Sequence, residues 1–438
     1  MDSRFFVYNA VTMLALPPLL ISLALGRKYR QGFIQRLGYI SHDVYSTLKQ
    51  DRPVWLHAVS VGEVIASIPI MKRIKRDYPD LRLVVSTVTA TGNYTVLQKV
   101  PEADAIIYFP YDYYFIVNKV INTINPCIFI HTETEIWPNF LWALRARGIP
   151  SVIVNGRLSS RSSRGYHSFK WLFREVFDQV SAFGMQSQID CERVIAMGVN
   201  PDKVLLTGNM KFDQNISDAL ASNHREMLAG LHLSNDTRIF IAGSTHSGEE
   251  EIVLNVYEKL VADAKGLVLI LAPRHPERFQ EVEKMIRKRG LIVARKTAIG
   301  KNQNSATPPQ VILLDTIGEL SRIYGIADVV FVGGSLVDIG GHNILEPVVH
   351  RKPVIFGPHM QNFPEITATL RKSGAGILVN SEEELLAYAR TFLEDREKAQ
   401  AIGEKGFQVI QLHQGATERN MELINRFIRR QGEGFKKA

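Results

Sequence analysis

Three charged side chains that could take part in acid–base or electrostatic catalysis follow short apolar runs in the first half of the chain. Glu63 lies in HAVSVGEV, where a strand is predicted to end and a helix to begin. Glu133 follows another apolar run in HTETEIWPN, and Lys211 lies in TGNMKFD. A carboxylate can take a proton from a hydroxyl group, and an ammonium group can stabilise an anionic sugar or a departing phosphate. Taken singly, each residue is explained equally well or better by helix capping or by a solvated turn.

A second group of motifs, in the second half of the chain, has the composition of a nucleotide site. These motifs are AGSTH (242–246), APRHP (272–276), GGS (333–335) and GGHNILEP (340–347). Glycines let the backbone approach a phosphate, and Arg274 offers a planar guanidinium to a phosphate or a base edge. Glu346 could accept hydrogen bonds from ribose hydroxyls, at the start of a short helix whose N-terminus favours anions. Their repetition at successive predicted strand ends indicates a nucleotide-binding site.

Several motifs with other chemistry are missing. The sequence has neither the G-x-x-x-x-G-K-[ST] run of P-loop enzymes nor a G-x-G-x-x-G run after a first strand. It has no Asp-x-Asp pair for a catalytic metal, and its two cysteines, Cys127 and Cys191, lack metal-ligand spacing. We therefore expect group transfer without a metal and without a cofactor.

Strands and helices that alternate along the chain are expected to position these residues. With 438 residues, 45% of them hydrophobic, the chain is long enough for two or three domains. Strands are predicted at 54–60, 81–88, 105–110, 127–131, 151–156, 180–186, 238–245, 267–273, 310–315, 328–334 and 353–358. A polar linker at about 213–237 divides them into two sets, and a last helix is predicted at about 417–430. This pattern predicts two doubly wound domains facing a cleft, with ligands at the carboxyl ends of the strands.

The N-terminal segment is apolar and uncharged from residue 5 to residue 25. At about 1.5 Å per residue it is just long enough to span a bilayer. Basic residues between 27 and 36 follow it, so the rest of the chain is expected on the cytoplasmic side. A cleaved signal peptide fits less well, because basic residues occupy the place of a cleavage site. Two prolines inside the segment leave open a helix that lies in the interface instead of spanning it.

The chain has a formal net charge of +8, which favours anionic partners. Part of this excess falls within residues 157–173, where Arg161, Arg164 and other basic residues alternate with aromatic ones. We interpret this stretch as a contact for acceptor phosphates, acyl chains or an anionic membrane surface. A solvated loop that leads into an ordinary amphipathic helix is the alternative. RNA binding is disfavoured because the pattern matches no RNA-binding module.

Taken together, the motifs resemble those of the Kdo (3-deoxy-D-manno-octulosonic acid) transferases over nearly the whole chain. The strings that support the resemblance are HAVSVGEV, TETEIWPN, NGRLS, TGNMKFD, AGSTHSGEEE, APRHPERF, GGHNILEP and PVIFGPHMQNF. The resemblance implies an α/β protein with the GT-B fold of two Rossmann-like domains. It implies a membrane anchor at 1–27, an acceptor-binding domain at 28–216 and a donor-binding domain at 217–438.

The resemblance also implies a reaction, namely inverting, metal-independent transfer of Kdo from CMP-Kdo to lipid IVA in lipopolysaccharide biosynthesis. The expected place is the cytoplasmic face of the inner membrane, with no nucleic acid as partner. By resemblance, Glu63 is the general base, and Glu133 and Lys211 stabilise the transition state. The implied CMP-binding residues are Pro273, Arg274, Ile317, Gly318, Glu319, Asn343, Ile344, Leu345 and Glu346.

Two other functions remain open at this point. One is a different nucleotide-sugar transferase, or an epimerase of the same fold, and the other is a non-catalytic membrane scaffold. The sequence also leaves open how many Kdo residues are transferred, and the oligomeric state.

Overall fold

The computed structural model describes residues 4–14, 32–48, 52–158, 165–166, 169–213, 223–264, 266–299 and 309–435. The chain forms two compact units. The first contains Met1–Gln214 and His413–Ala438, and the second contains Asn215–Leu412. Each unit has a seven-stranded sheet in which all strand pairs are parallel, which confirms the predicted fold class.

The sheet of the first unit has the strand order β3-β2-β1-β4-β5-β6-β7. Its strands are β1 (Val54–His57), β2 (Leu83–Thr87), β3 (Ala105–Tyr108), β4 (Ile128–Thr132), β5 (Ser151–Gly156), β6 (Ala182–Met185) and β7 (Val204–Leu206). Every residue of β1, β4 and β5 is buried, as expected for central strands covered by helices on both faces. The central strands β1 and β4 are paired so that His57 lies opposite His131 at their carboxyl ends.

The described helices before residue 200 belong to the first unit. They are α1 (4–14), α2 (Phe33–Arg36), α3 (His42–Leu48), α4 (Val61–Asp77), α5 (Ala90–Lys99), α6 (Tyr114–Ile124), α7 (Pro138–Ala146), α8 (Lys170–Asp178) and α9 (Gln188–Ala196). A short 3₁₀ helix, Met210–Asp213, ends the first stretch of this unit. Several helices have side-chain N-caps; for example, Ser60 begins α4 and Ser187 begins α9.

The helix α1 packs on the first unit through one face. The Tyr8 hydroxyl donates to Asp112 at 2.9 Å, and the Asn9 amide donates to Asn139 at 2.8 Å. The ring of Phe5 packs edge-on against Trp142 with centroids 5.3 Å apart. The rest of the predicted anchor, residues 1–3 and 15–27, lies outside the described residues. Among the helices that the structure does describe, none is both long enough and apolar enough to cross a membrane.

The sheet of the second unit has the strand order β10-β11-β9-β8-β12-β13-β14. Its strands are β8 (Ile239–Thr245), β9 (Val268–Pro273), β10 (Val293–Arg295), β11 (Val311–Leu313), β12 (Val329–Val332), β13 (Val354–Phe356) and β14 (Gly376–Leu378). Its helices are α10 (His224–Gly230), α11 (Glu249–Asp263), α12 (Phe279–Lys288), α13 (Leu320–Ile323), α14 (Leu345–Val349), α15 (Pro364–Ser373), α16 (Glu382–Glu394) and α17 (Arg396–His413).

The last helix, α18 (Ala416–Phe435), returns to the first unit. Its apolar face, which includes Met421 and Ile424, packs into the same core as Ile70 and Ile74 of α4. Asp213 accepts hydrogen bonds from the backbone of Gly415 at 2.8 Å, just before the helix begins. The sequence-based division assigned all of 217–438 to the second domain, and the structure differs because this helix completes the core of the first.

Candidate functional site

Glu63 is held over the N-terminus of α4. Ser60 is the N-cap, and its hydroxyl donates to Oε1 of Glu63 at 2.9 Å. The backbone N–H of Val59 donates to Oε2 at 2.8 Å. The Ser60 oxygen also accepts from the backbone N–H of Glu63 at 3.4 Å, so the arrangement is a capping box shifted by one residue, which fixes the half-buried carboxylate at the carboxyl end of β1.

The protonation of Glu63 is set by its surroundings. Burial, followed by the negative charges of Glu133 and Glu135, raises the pKa of Glu63 to about 7. The hydrogen bonds from Val59 and Ser60 act in the opposite direction and are outweighed. A carboxyl group that is about half ionised near neutral pH can act as a general base.

Glu133 and Lys211 form an ion pair near Glu63. Glu133 follows β4 with a left-handed backbone conformation, φ 59°, and its N–H donates to the carbonyl of Val154 at 2.9 Å. Nζ of Lys211 lies 3.9 Å from Oε1 of Glu133, and both side chains are mostly buried. Since the charge of Glu133 acts on Glu63, the structure brings the three predicted catalytic residues together at one edge of the sheet.

Asn155 positions the loop that holds Lys211. Its Oδ1 accepts from the backbone of Met210 at 2.9 Å, and its carbonyl accepts from the Gln186 amide at 2.8 Å. The Gln186 Oε1 accepts from Asn209 at 3.1 Å, and Oδ1 of Asn209 accepts from the backbone of Lys211 at 3.0 Å. Asn155 is buried with φ 52°, a conformation that asparagine tolerates better than most residues. The motif NGRLS contains this residue, but the sequence alone indicated no role for it.

Two buried histidines lie at the same strand ends and were also missed. Nδ1 of His57 lies 3.1 Å from the carbonyl oxygen of Ser86, and Nδ1 of His131 lies 3.1 Å from the carbonyl oxygen of Glu135. A carbonyl only accepts, so Nδ1 carries the hydrogen in both rings. Burial lowers the pKa of His57 to about 3 and that of His131 to about 4. The neutral His131 therefore holds the turn that carries Glu133 and Glu135, whereas His57 links the ends of β1 and β2.

The second unit places most of its predicted nucleotide residues at the carboxyl edge of its own sheet. Pro273 ends β9, and the exposed Arg274 follows it. Asn343 donates to Oε1 of Glu346 at 3.4 Å, and its own Oδ1 accepts from the backbone of Leu345 at 3.1 Å. Burial raises the pKa of Glu346 to about 7, although Asn343 and the charge of Arg274 act against the rise. Ile344 is fully buried beside them, so it supports this turn from the core.

The stretch Ile317–Glu319 follows β11 at the same edge. Ile317 is 78% exposed, and Gly318 has a left-handed backbone, φ 87°. Glu319 accepts from Nζ of Lys296 at 2.7 Å and also from the hydroxyl of Thr316. Partial burial opposes ionisation, but the hydrogen bonds from Lys296 and Thr316 outweigh it and lower the pKa of Glu319. An ionised carboxylate at this place can accept hydrogen bonds from a ligand.

The motif Gly333–Gly334–Ser335, predicted to approach a phosphate, is occupied by a side chain of the protein. The carboxylate of Glu249 accepts from the backbone of Gly334 at 2.7 Å, Ser335 at 3.0 Å and Leu336 at 2.9 Å. A fourth bond comes from the backbone of His246 at 3.0 Å. The backbone donors that could have bound a phosphate are therefore engaged by a buried carboxylate, and this part of the sequence prediction is wrong.

Other predictions fall partly outside the described residues. In the basic and aromatic stretch 157–173, the residues Arg161, Arg164 and His167 lie outside the described part of the chain. The helix α8 begins within this stretch at Lys170, and Trp171 is 49% exposed. Within the described part of the chain, no group of three His, Cys, Asp or Glu side chains is placed to hold a metal ion.

Known proteins similar to this chain include several curated enzymes. Residues 31–214 match the family described as 3-deoxy-D-manno-octulosonic-acid transferase (kdotransferase). A 3-deoxy-D-manno-octulosonic acid transferase of Haemophilus influenzae is 36% identical over 98% of this chain and 99% of its own. The protein of the same name from Chlamydophila psittaci is 31% identical over 95% of this chain and 94% of its own.

The structure also resembles solved two-domain enzymes. UDP-GlcNAc 2-epimerase from Neisseria meningitidis, bound to UDP-GlcNAc, aligns with a TM-score of 0.58 over 85% of this chain and all of its own. The sequence identity is 12%, so the likeness concerns the fold alone. It agrees with the GT-B fold expected from the sequence.

Proposed function

Because this chain belongs to the 3-deoxy-D-manno-octulosonic acid (Kdo) transferase family, we propose that it transfers Kdo from CMP-Kdo to lipid IVA, with Glu63 as general base. At the family level the chain is a glycosyltransferase of lipopolysaccharide biosynthesis. The donor, the acceptor, the stereochemistry and the residue roles are the parts that we propose.

The observation that supports Glu63 as the base is its pKa of about 7 beside the Glu133–Lys211 ion pair. In the proposed step, an acceptor hydroxyl gives its proton to the Glu63 carboxylate. The hydroxyl oxygen attacks the anomeric carbon of Kdo from the face opposite to the phosphate. The bond from that carbon to the phosphate oxygen breaks, and CMP leaves with the electron pair. A single displacement of this kind inverts the anomeric configuration.

The ion pair supports a second part of the proposal, which concerns charge. Kdo has a carboxylate next to its anomeric carbon, and Lys211 offers that anion an ammonium group. Glu133 offers a negative charge to the cationic character that develops on the anomeric carbon as the phosphate departs. The network from Asn155 to Lys211 holds the backbone from which this ammonium group extends.

The nucleotide part of the donor is assigned to the second unit. We infer that Arg274 binds the phosphate, and that Glu346 and Glu319 accept hydrogen bonds from the ribose or the base. Pro273, Gly318, Ile344 and Leu345 shape the backbone around these groups. The support for this assignment is that all of them lie at the carboxyl edge of the sheet, where open parallel sheets bind ligands.

We further propose that the enzyme acts at the cytoplasmic face of the inner membrane, attached through its N-terminal segment. The outer face of α1 exposes Phe6 (61%), Val11 (60%) and Leu14 (81%), whereas Phe5 on the inner face is buried. Replacing Val11 and Leu14 together by serine should lower binding to anionic vesicles at least tenfold, because each apolar side chain contributes roughly 1.5–3 kcal/mol. Leu412→Ser, at a leucine that is 82% exposed elsewhere, is the matched control. Equal vesicle binding by all three proteins would contradict the attachment.

The test of the catalytic proposal is a reconstitution with CMP-Kdo and lipid IVA, with products resolved by mass. Glu63→Gln should lower kcat by about 10²- to 10⁴-fold, the usual contribution of a general base. Glu384→Gln is the matched control, because Glu384 forms the same capping box with Ser381 and Asn380 in α16. That variant should retain wild-type turnover. Turnover with UDP-GlcNAc and none with CMP-Kdo would overturn the donor assignment, and the product masses give the number of Kdo residues added.

A further inference from the structure

Two histidine side chains of the second unit meet nitrogen to nitrogen at the carboxyl edge of its sheet. Nε2 of His246 lies 2.8 Å from Nε2 of His342, and the ring planes are inclined by only 6°. His246 follows β8, and His342 lies in the loop between β12 and α14. Gly334 lies against both rings, because a Cβ atom there would be 3.1 Å from Nε2 of His342 and 3.4 Å from Cδ2 of His246. The absence of a side chain at Gly334 therefore leaves room for this pair.

The contact limits how many protons the pair can hold. A hydrogen bond between two Nε2 atoms needs a hydrogen on one nitrogen and a lone pair on the other. Two neutral imidazoles meet this condition by adopting opposite tautomers. One added proton, placed on Nδ1 of the donating ring, makes the bond charge-assisted and stronger. A second added proton would put hydrogens on both Nε2 atoms and break the contact.

Burial and neighbouring cationic groups favour the neutral form of both rings. The ring of His275 lies edge-on to that of His246 with centroids 5.1 Å apart. Burial, followed by the charges of His275, Arg274 and Arg278, lowers the pKa of His246. Burial, followed by His246, Arg274 and His275, lowers the pKa of His342 to about 4. An added proton therefore needs an anion that is close to both rings.

The carboxylates on the neighbouring elements are each bonded to other groups. Glu249 accepts four backbone hydrogen bonds, and Glu250 accepts from Arg278 at 2.5 Å. Oε1 of Glu277 lies 3.7 Å from Nδ1 of His275, on the side of that exposed ring. Glu346 has its bond from Asn343. A ligand phosphate is then the natural counter-charge for a protonated pair.

We propose that the His246–His342 pair, with Arg274, receives the phosphate of the nucleotide and takes up one proton from the buffered solution as that phosphate binds. This inference rests on the proposed function, which places the nucleotide in this unit. The phosphodiester of CMP-Kdo has one negative charge, whereas the phosphomonoester of CMP has close to two near neutral pH. A site that gains a positive charge binds the departing phosphate more tightly than the intact donor. It thereby lowers the barrier to breaking the bond between the anomeric carbon and the phosphate oxygen.

Calorimetric titration of the full-length protein with CMP tests the proton uptake. Two buffers of different ionisation enthalpy at pH 6.5 give the number of protons taken up per CMP bound. The pair should take up close to one proton, so that the measured net uptake is about three quarters of a proton per CMP bound. CMP itself contributes the opposite sign, because the fraction that is a monoanion at this pH loses its proton when it binds as a dianion. Cytidine, which lacks the phosphate, should bind without proton uptake.

Substitutions separate the pair from its neighbours. His342→Asn should lower CMP affinity about tenfold and abolish proton uptake, while cytidine affinity stays unchanged. His275→Asn is the matched control, because it removes an imidazole of the same cluster that takes no part in the contact between the Nε2 atoms. Proton uptake should persist in this variant. Thermal unfolding followed by circular dichroism establishes that each variant is folded.

The outcomes distinguish this inference from the function on which it rests. CMP binding without proton uptake, or the same uptake in His342→Asn as in the wild type, overturns the inference and leaves the proposed function standing. A folded wild-type protein that binds no CMP overturns the donor assignment, and this inference with it.

Discussion

The pH dependence of Kdo transfer should follow the ionisation of Glu63. Only the carboxylate form can accept a proton, and burial beside Glu133 and Glu135 raises the pKa of Glu63 to about 7. With this pKa about one tenth of the enzyme is in the active form at pH 6 and about nine tenths at pH 8. We therefore expect kcat/KM to rise about tenfold between these values. A base with the ordinary glutamate pKa near 4.5 would give a flat profile over the same range.

Neighbouring charges provide an internal check on this assignment. Glu133→Gln removes the larger of the two negative charges that raise the pKa of Glu63, so the rising limb should move to lower pH. Glu135→Gln removes the smaller one and should move the limb less. The profiles are compared after normalisation to their plateaus, because Glu133→Gln is also expected to lower the plateau itself.

The same pKa makes a prediction about folding. A carboxyl group whose pKa is higher in the folded state binds its proton more tightly there, so stability is greatest below the unfolded pKa. That stability is lost as the pH rises from about 4.5 to about 7. The shift corresponds to at most about 3 kcal/mol, and solvent around a half-buried group reduces it to roughly 1–2 kcal/mol. Glu63→Gln should therefore be at least as stable as the wild type at pH 8, and yet inactive.

The assay combines initial rates over pH 5.5–9 with urea unfolding at pH 5 and pH 8. Three results would refute the reasoning. The first is a flat wild-type profile between pH 6 and pH 8, and the second is an unmoved limb in Glu133→Gln. The third is a Glu63→Gln variant that keeps more than about a hundredth of wild-type kcat, since a general base contributes at least about 10²-fold.

Three further predictions concern the surroundings of the two sites. Glu249→Gln should destabilise the protein by about 2–4 kcal/mol in urea unfolding, because the amide cannot accept four backbone hydrogen bonds; a change below about 0.5 kcal/mol would contradict this role. Asp112→Ala removes the acceptor for the Tyr8 hydroxyl and for two backbone N–H groups of α7. The backbone amide hydrogens of residues 4–14 should therefore exchange faster than those of α18. Asn155→Gly permits the left-handed backbone but removes the acceptor for Met210, so it should stay folded while kcat falls about tenfold or more; wild-type kcat in this variant would show that the network does not position Lys211.

Strands in the centre of each sheet could be predicted from the sequence, and three edge strands could not. The missed strands are β7, β10 and β14, each three residues long. An edge strand has one neighbour and partly faces solvent, so it needs no long apolar run to be stable. The residues of β7 are all partly or fully exposed, whereas those of β1 are all buried. A continuous hydrophobic run indicates a strand that is buried on both faces of the sheet. Such runs therefore predict central strands.

Glu63 and Glu133 were accessible from the sequence because each follows a strand that can be recognised, whereas Lys211 follows β7 and was indicated by its motif TGNMKFD. Asn155 and the histidine pair were not, because their roles depend on partners far away in the chain. Asn155 acts on Met210, and His246 meets His342 across 96 positions of sequence. The path of α18 is of the same kind, since an apolar helix face does not tell which core covers it, and its partners in α4 lie more than 300 positions earlier in the chain.

Three glutamates in first helical turns show why a sequence signal can indicate a position and still leave its role open. Glu63, Glu249 and Glu384 each lie in the first turn of a helix. From the sequence alone, helix capping explains the presence of all three equally well. Glu384 is exposed, so its charge is solvated and its capping bonds are its whole contribution. Glu249 is fully buried, and four backbone donors surround its carboxylate, which gives it a structural role. Glu63 has one backbone and one hydroxyl donor for its carboxylate, and it faces two other carboxylates, so it alone is left poised between its protonated and ionised forms. The balance between donors and burial therefore distinguishes the proposed base from the two caps, and that balance is a property of the folded surroundings.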